Sequence, residues 1–470
     1  MKKTTLIGIL LFFLLSSINA QQVGMRHKRS DGYEWPKDSL VLQKLDKWKD
    51  LKYGVIFHWG LYSVPGIMES WVLCGEDVDW ITTRRSQSMT YEEYKKWYWG
   101  FKDSLNPVSF NPDQWADIMQ EGGMRYMVFT TKHHEGFCMF DTKETNFSIM
   151  NGPFGKDPRA NVAKHVFDAF RNKGFMIGAY FSKPDWHSEY YWWPYFPTRD
   201  RNVNYDVKQH PERWEKFCQF TYNQIKELMS DYGKIDILWL DGGQVAPKFK
   251  QDIKMDKIAA MARQKQPGLI MVDRTVQGEF ENYQTPEGEI PDKQLDIPWE
   301  TCMAMNGWGW RKEGTYKSSK RIIATLIEVV AKGGNLLLGV GPTAQGTIDA
   351  EAQDRILTIG KWLKKNGEAI YSTTITKHYN DEKVWFTQSK DSNTMYALYA
   401  LNDGEDKVPD IIEWSGNIPA KGKVILLQNN HKIKCEVKNG KVKIYLPQNI
   451  NKSESLAFKF TVDKIRDNVR

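Results

Sequence analysis

Seven short apolar runs, separated by stretches with helical periodicity, constrain this chain more than any other feature. They are YGVIFH (53–58), RYMVFTT (125–131), FMIGAYFS (175–182), KIDILWLD (234–241), GLIMVDR (268–274), DIPWETC (296–302) and GNLLLGVG (334–341). Most are continuously apolar, the pattern of strands buried on both faces. Between them, RWEKFCQFTYNQIKELMSDYG sets Trp214, Phe217, Cys218, Thr221, Ile225 and Leu228 on one helical face and stops at Gly233. SSKRIIATLIEVVAKGG likewise opens on serines and stops at Gly333. Strand followed by helix, repeated, means a parallel sheet. Polar residues gather at the strand ends, which fits a (β/α)₈-like barrel over residues 30–370 better than an open sheet. The eighth strand has no clear signature.

Beyond residue 375 the pattern changes to KVWFTQS, TMYALYAL, KVILLQ, KCEVKNGKVKIYLP and SLAFKFTV. These short alternating strands, one pair joined at Asn439-Gly440, predict an antiparallel β-sandwich over 375–466.

The opening MKKTTLIGILLFFLLSSINAQQ has two lysines, an apolar run too short for comfortable spanning and small residues ending at Ala20. This predicts a signal peptide over 1–20 and an exported protein, periplasmic or secreted. No later run is long and apolar enough to span a membrane, so no membrane span is expected. The formal charge of +7 comes from interspersed signs, which argues against a nucleic-acid partner, since that calls for basic residues on one face. Five cysteines have no paired spacing, and Cys138, Cys218 and Cys302 sit among apolar residues, so buried thiols are expected. Nineteen tryptophans suit a sugar-stacking protein, but a large core uses tryptophan too, so the count decides nothing.

Alternate residues of a strand share a face, so ILWLDGG points Ile237, Trp239 and Asp241 toward the barrel axis and Leu238 and Leu240 toward the helices. Asp241 then ends its strand at the rim where barrel active sites lie. The same reasoning puts His58 at the end of the first run, His133 and His134 after the second, Tyr180 in the third and Arg274 at the end of IMVDR. Taken singly, each has a plain structural role: a turn aspartate, a satisfied histidine, an Arg274–Asp273 ion pair. Their joint position favours one polar mouth.

His133-His134-Glu135 could suggest a metal. Neighbours on extended chain point opposite ways, and the HExxH spacing of helical zinc sites is absent. The expectation is therefore no metal and no cofactor, with the histidines offering ring N–H groups to hydroxyls. There is no GxxxxGK[ST] and no GxSxG, and GVGPTA (339–344) is interrupted by Pro342 and reads as barrel closure rather than a dinucleotide loop. If the ligand is a polyhydroxylated ring, hydrolysis needs two carboxyl groups. Asp241 supplies one. GEFENYQTPEGEIP offers Glu279, Glu281, Glu287 and Glu289 for the other, and spacing does not choose among them.

The motifs VIFHWGLYSVPG, TTKHHEGF, WLDGG, VDR, TPE, PWETC and NLLLGVGP, in this order over most of residues 50–345, resemble the α-L-fucosidases of glycoside hydrolase family 29. The resemblance implies a retaining exo-enzyme acting on a fucosylated oligosaccharide or glycoconjugate without a metal. It implies Asp241 as nucleophile, Glu287 as acid/base, and a fucose pocket lined by His58, His133, His134, Tyr180, Trp239 and Arg274. In MESWVL, Glu69 and Trp71 flank Ser70 where relatives often have the pair adjacent, so both are candidates for contact with the sugar. The acid/base position varies within the family, which keeps Glu281 and Glu289 open. Glu135 is expected to brace the turn, and Trp239 or Trp308 to meet the fucose methyl. Two other readings stand beside this one: an exported α-galactosidase-like barrel, and a carbohydrate-binding barrel without catalysis.

Overall fold

The computed structural model describes residues 32–74, 81, 86, 88–390 and 393–462. The predicted signal peptide, and residues 463–466 of the predicted sandwich, lie outside them.

Seven parallel strands form one curled sheet in the order β5-β4-β3-β2-β1-β7-β6. They are β1 (Tyr53–Phe57), β2 (Tyr126–Lys132), β3 (Met176–Ser182), β4 (Ile237–Asp241), β5 (Ile270–Asp273), β6 (Glu300–Ala304) and β7 (Asn335–Val340). Helices run between most of them: α1 (Ser39–Leu51) before β1, α2 (Tyr91–Trp99) and α3 (Pro112–Glu121) before β2, α4 (Val162–Asn172) before β3. α5 (Pro211–Asp231), α6 (Met255–Lys265), α7 (Ser319–Ala331) and α8 (Ala350–Asn366) follow β3, β4, β6 and β7.

The two strand faces sort as period-2 geometry requires. Ile56, Val128, Tyr180, Ile237, Trp239, Val272 and Leu337 share one buried cluster inside the barrel. Their chain neighbours Val55, Phe57, Phe129, Leu238, Leu240, Leu336 and Leu338 join a second cluster under the helices. Each such buried aliphatic side chain contributes about 1.5–3 kcal/mol, and a single-residue slip would exchange the two sets.

The eighth position of the barrel is not a regular strand. Between β5 and β6 the chain pairs through isolated bridges only: Val272 with Glu281 antiparallel, Gln284 with Trp299 and Glu287 with Cys302 parallel. This is why the sequence carries no eighth apolar run, and it brings Glu287 to the barrel rim.

The remaining strands are β8 (Thr373–Thr374), β9 (Asn380–Asp381), β10 (Val384–Ser389), β11 (Thr394–Tyr399), β12 (Ile411–Ser415), β13 (Pro419–Leu426), β14 (His431–Lys438), β15 (Lys441–Tyr445) and β16 (Leu456–Val462). All their pairings are antiparallel. The sheet order is β12-β15-β14-β13-β16-β11-β10-β8, yet Trp414 of β12 lies 6.0 Å from Phe386 of β10 and 5.9 Å from Phe460 of β16. Strands far apart in the sheet share one core, so the sheet folds over itself as a sandwich. β14 turns the corner, bonding β13 through His431–Ile433 and β15 through Lys434–Lys438. Trp362 of α8 joins this layer to the barrel by donating its indole N–H to the Ser455 carbonyl at 2.7 Å. All five cysteines are free thiols, four of them buried.

Candidate active site

A cavity of about 380 Å³ opens at the C-terminal end of the barrel strands. His58, Glu69, Trp71, His133, His134, Trp239, Asp241, Arg274 and Glu287 all border it. Of the residues predicted for the site, only Tyr180 does not. It lies fully buried beneath the cavity and reaches the site through its hydroxyl.

Asp241 ends β4, and Gly242 after it has φ of 90°, with Pro184 Cδ 2.2 Å from where a Cβ would stand. Only glycine permits that turn. Asp241 Oδ1 accepts from Arg274 Nη1 at 2.9 Å and from the Gly242 amide at 2.8 Å. Oδ2 accepts from the Tyr180 hydroxyl at 2.8 Å, with His134 Nε2 at 3.7 Å. Burial opposes ionisation of this carboxyl, but Arg274 and the Tyr180 hydroxyl outweigh it and hold the group well below the usual carboxylate range.

Arg274 follows β5 and does not pair with Asp273, which instead accepts from Lys183 Nζ at 2.5 Å in a fully buried pair. Released from that neighbour, Arg274 binds two carboxylates: Asp241 through Nη1, and Glu287 Oε2 through Nη2 at 2.7 Å. Trp308 donates its indole N–H to Glu287 Oε1 at 2.9 Å. Glu289 also borders the cavity. Glu281 does not; it is buried behind the rim, accepting from the Thr275 amide at 3.0 Å. Glu279 is exposed.

The two histidines correct the expectation that neighbours on the chain diverge. Their ring centroids are 4.3 Å apart and both border the cavity, because the chain leaves β2 at Lys132 and turns at His134. Both rings are held from behind by serine hydroxyls. Ser182 spends its one proton on the Pro184 carbonyl at 2.6 Å, so at 2.7 Å it accepts from His134 Nδ1. Burial, with His133 nearby, pushes His134 well below its ordinary pKa, so its Nε2 faces the cavity as an acceptor. Ser70 bonds both Glu135 and His133 Nδ1, the latter at 2.5 Å. Glu135 is therefore a buried support for His133 rather than a brace for the turn alone. His58, also pushed well below its ordinary pKa by burial and by His133, packs its ring 5.1 Å from Trp308.

His133, His134 and Asp241 could place ligand atoms within 4.8 Å of one another, so spacing alone admits a cation. The charge balance does not favour one. Arg274 already occupies the cationic position at Asp241.

Trp71 packs edge-on 5.1 Å from His134, with Arg201 over its indole at 4.7 Å. Glu69 is buried in the same wall, and burial raises its carboxyl. Sequence reasoning missed Ser70, Ser182, Arg201 and Glu300. Only Glu300 had a usable signal: period-2 alternation in WETC turns it inward with Cys302.

The α-L-fucosidase family profile matches residues 20–368. Plasma α-L-fucosidase of Homo sapiens is 30% identical over 386 residues, 77% of this chain and 77% of that one. Tissue α-L-fucosidase of Mus musculus is 30% identical over 383 residues, 77% of this chain and 79% of that one. Among solved structures, α-L-fucosidase isoenzyme 1 from Paenibacillus thiaminolyticus aligns with a TM-score of 0.74 at 27% identity, over 90% of this chain and 100% of that chain. With that match over most of its length and the carboxylate-lined barrel mouth described above, the chain belongs to the α-L-fucosidase family of glycoside hydrolases.

Proposed function

We propose that the protein is an exo-acting, retaining α-L-fucosidase that releases fucose from fucosylated oligosaccharides or glycoconjugates. The observation that carries this reading is the Arg274 fork, which bonds Asp241 at 2.9 Å and Glu287 at 2.7 Å. Two carboxyl groups on the two ends of one guanidinium favour the short spacing of a retaining pair, about 5–5.5 Å, over the wider spacing that leaves room for water. Asp241, held ionised, attacks C1 as the glycosidic bond breaks, and Glu287 gives its proton to the leaving oxygen. In the second step Glu287 takes a proton from water, whose oxygen displaces Asp241 from C1.

Exo action accords with a cavity closed below by the packed barrel interior, with buried Trp239 as its floor. His58, His133 and His134 meet hydroxyls, and Trp239 and Trp308 offer apolar faces to the C5 methyl. Such a pocket discriminates strongly, since a missing hydroxyl leaves a buried polar group unpaired.

Turnover of an aryl α-L-fucoside against an aryl α-galactoside tests the substrate, and NMR of the first product tests the stereochemistry. The α-anomer of fucose is expected first. Preference for the galactoside would assign another sugar, and no turnover of either would leave a binding protein. The leader ending at Ala20 supports export to the periplasm or beyond, which amino-terminal sequencing of the mature protein checks.

A further inference from the structure

Glu300 opens β6 with its carboxyl at the centre of the barrel, fully buried. Its Oε2 accepts from the Tyr126 hydroxyl at 2.7 Å, and its Oε1 accepts from Trp239 Nε1 at 3.3 Å. Tyr283 and Cys302 also face it, and Arg274 is the cation that acts on it. A carboxyl is a costly way to fill such a space. Ile56, Val128 and Leu337 fill the same core with hydrocarbon.

What the carboxyl does there shows in the layer above it. The Trp239 indole is the shelf on which the two groups holding Asp241 rest: Arg274 Cζ lies 4.8 Å from its ring, and Tyr180 stacks on it at 5.3 Å and 24°. Arg274 and Tyr180 then bond the two oxygens of Asp241. The χ2 torsion of a tryptophan is broad on its own. The bond from Nε1 to Glu300 restricts it, together with the packing around this buried ring.

We propose that Glu300 is a positioning residue for the glycosidase reaction. By accepting the Trp239 indole N–H it sets the plane that supports Arg274 and Tyr180, and through them the aim of Asp241. This role rests on the reading of Asp241 as nucleophile. Burial pushes the Glu300 carboxyl up to about 7, against the Tyr126 and Trp239 hydrogen bonds and Arg274, which favour its charged form.

The test is the kinetics of Glu300→Met, Trp239→Phe and the double variant on an aryl α-L-fucoside, with Glu300→Gln and Asp241→Asn alongside. Glu300→Met fills the space without an acceptor; it should stay folded and lose about tenfold in kcat, with KM changed less than about threefold. Glu300→Gln keeps an amide oxygen that can accept the indole N–H and should retain more kcat than Glu300→Met. In the Trp239→Phe background Glu300→Met should cost no further kcat, because the bond it breaks is already gone. If Glu300→Met does not fold, Glu300→Leu is held to the same split. Wild-type kcat in a folded variant without an acceptor at 300, or losses that multiply in the double variant, would overturn the role. An active Asp241→Asn would remove the nucleophile and, with it, the last link of the chain. Inactive Asp241→Asn beside an unimpaired Glu300→Met would remove only the role of Glu300.

Discussion

The Tyr180 hydroxyl donates to Asp241 Oδ2 at 2.8 Å from beneath the cavity, without bordering it. Hydrogen bonds to charged groups contribute roughly 1.5–3 kcal/mol. Tyr180→Phe should therefore lower kcat on an aryl fucoside about ten- to a hundredfold, with KM close to wild type. Steady-state kinetics checks this, and an unchanged kcat would mean that the bond does not aim the carboxylate.

Asp241→Asn keeps the shape of the side chain and removes the charge that Arg274 and Tyr180 stabilise. Turnover should drop to the assay background, while circular dichroism and the thermal midpoint show a folded protein. Activity near wild type in a folded variant would reject Asp241 as nucleophile.

Glu287→Ala should cripple substrates whose leaving group needs a proton far more than aryl fucosides whose phenolate departs unaided. Azide should then restore rate on the activated substrate, yielding an α-fucosyl azide, since a small anion attacks the β-linked glycosyl-enzyme with inversion and without base assistance. Glu281→Ala and Glu289→Ala are the controls. Glu281 is buried against the Thr275 amide, so rescue there is not expected; rescue at either control and not at 287 would move the role.

Prolonged chelation should leave activity unchanged even though His133, His134 and Asp241 converge, because the Arg274 guanidinium already neutralises Asp241. Loss on chelation that zinc or manganese restores, and buffer does not, would show that an ion binds there after all.

Burial pushes the Glu281 carboxyl up to about 7, against about 4.3 in an unfolded chain. The folded protein thus keeps a proton that the unfolded chain releases. Stability from this group is complete below about 4.3 and is lost as pH rises through 7. Glu281→Gln has no charge to bury, so it should be more stable than wild type at pH 8, by at most about 4 kcal/mol, with little gain at pH 4.5. Denaturant midpoints at the two pH values test the direction; an equal effect at both would exclude ionisation as the cause.

Much of this molecule is decided within short stretches of chain. Strand geometry turns alternate side chains to opposite faces, so ILWLD alone implied that Trp239 and Asp241 share the barrel interior while Leu238 and Leu240 face helices, as they do. The apolar runs, the helix stops at Gly233 and Gly333 and the Asn439-Gly440 turn are equally local, because backbone conformation and burial periodicity act over a few residues. What the tertiary structure decided is every relation between groups distant in sequence. The barrel seam between β5 and β6 closes through single bridges with no repeating pattern to read. Ser70 and Ser182, from other segments, bond the Nδ1 atoms of His133 and His134 and so set how each ring meets the cavity. Arg274 abandons its neighbour Asp273 because Lys183 arrives to take it, and so becomes free to join Asp241 to Glu287. Electrostatic partnership depends on distance through space, and only the folded chain sets that distance.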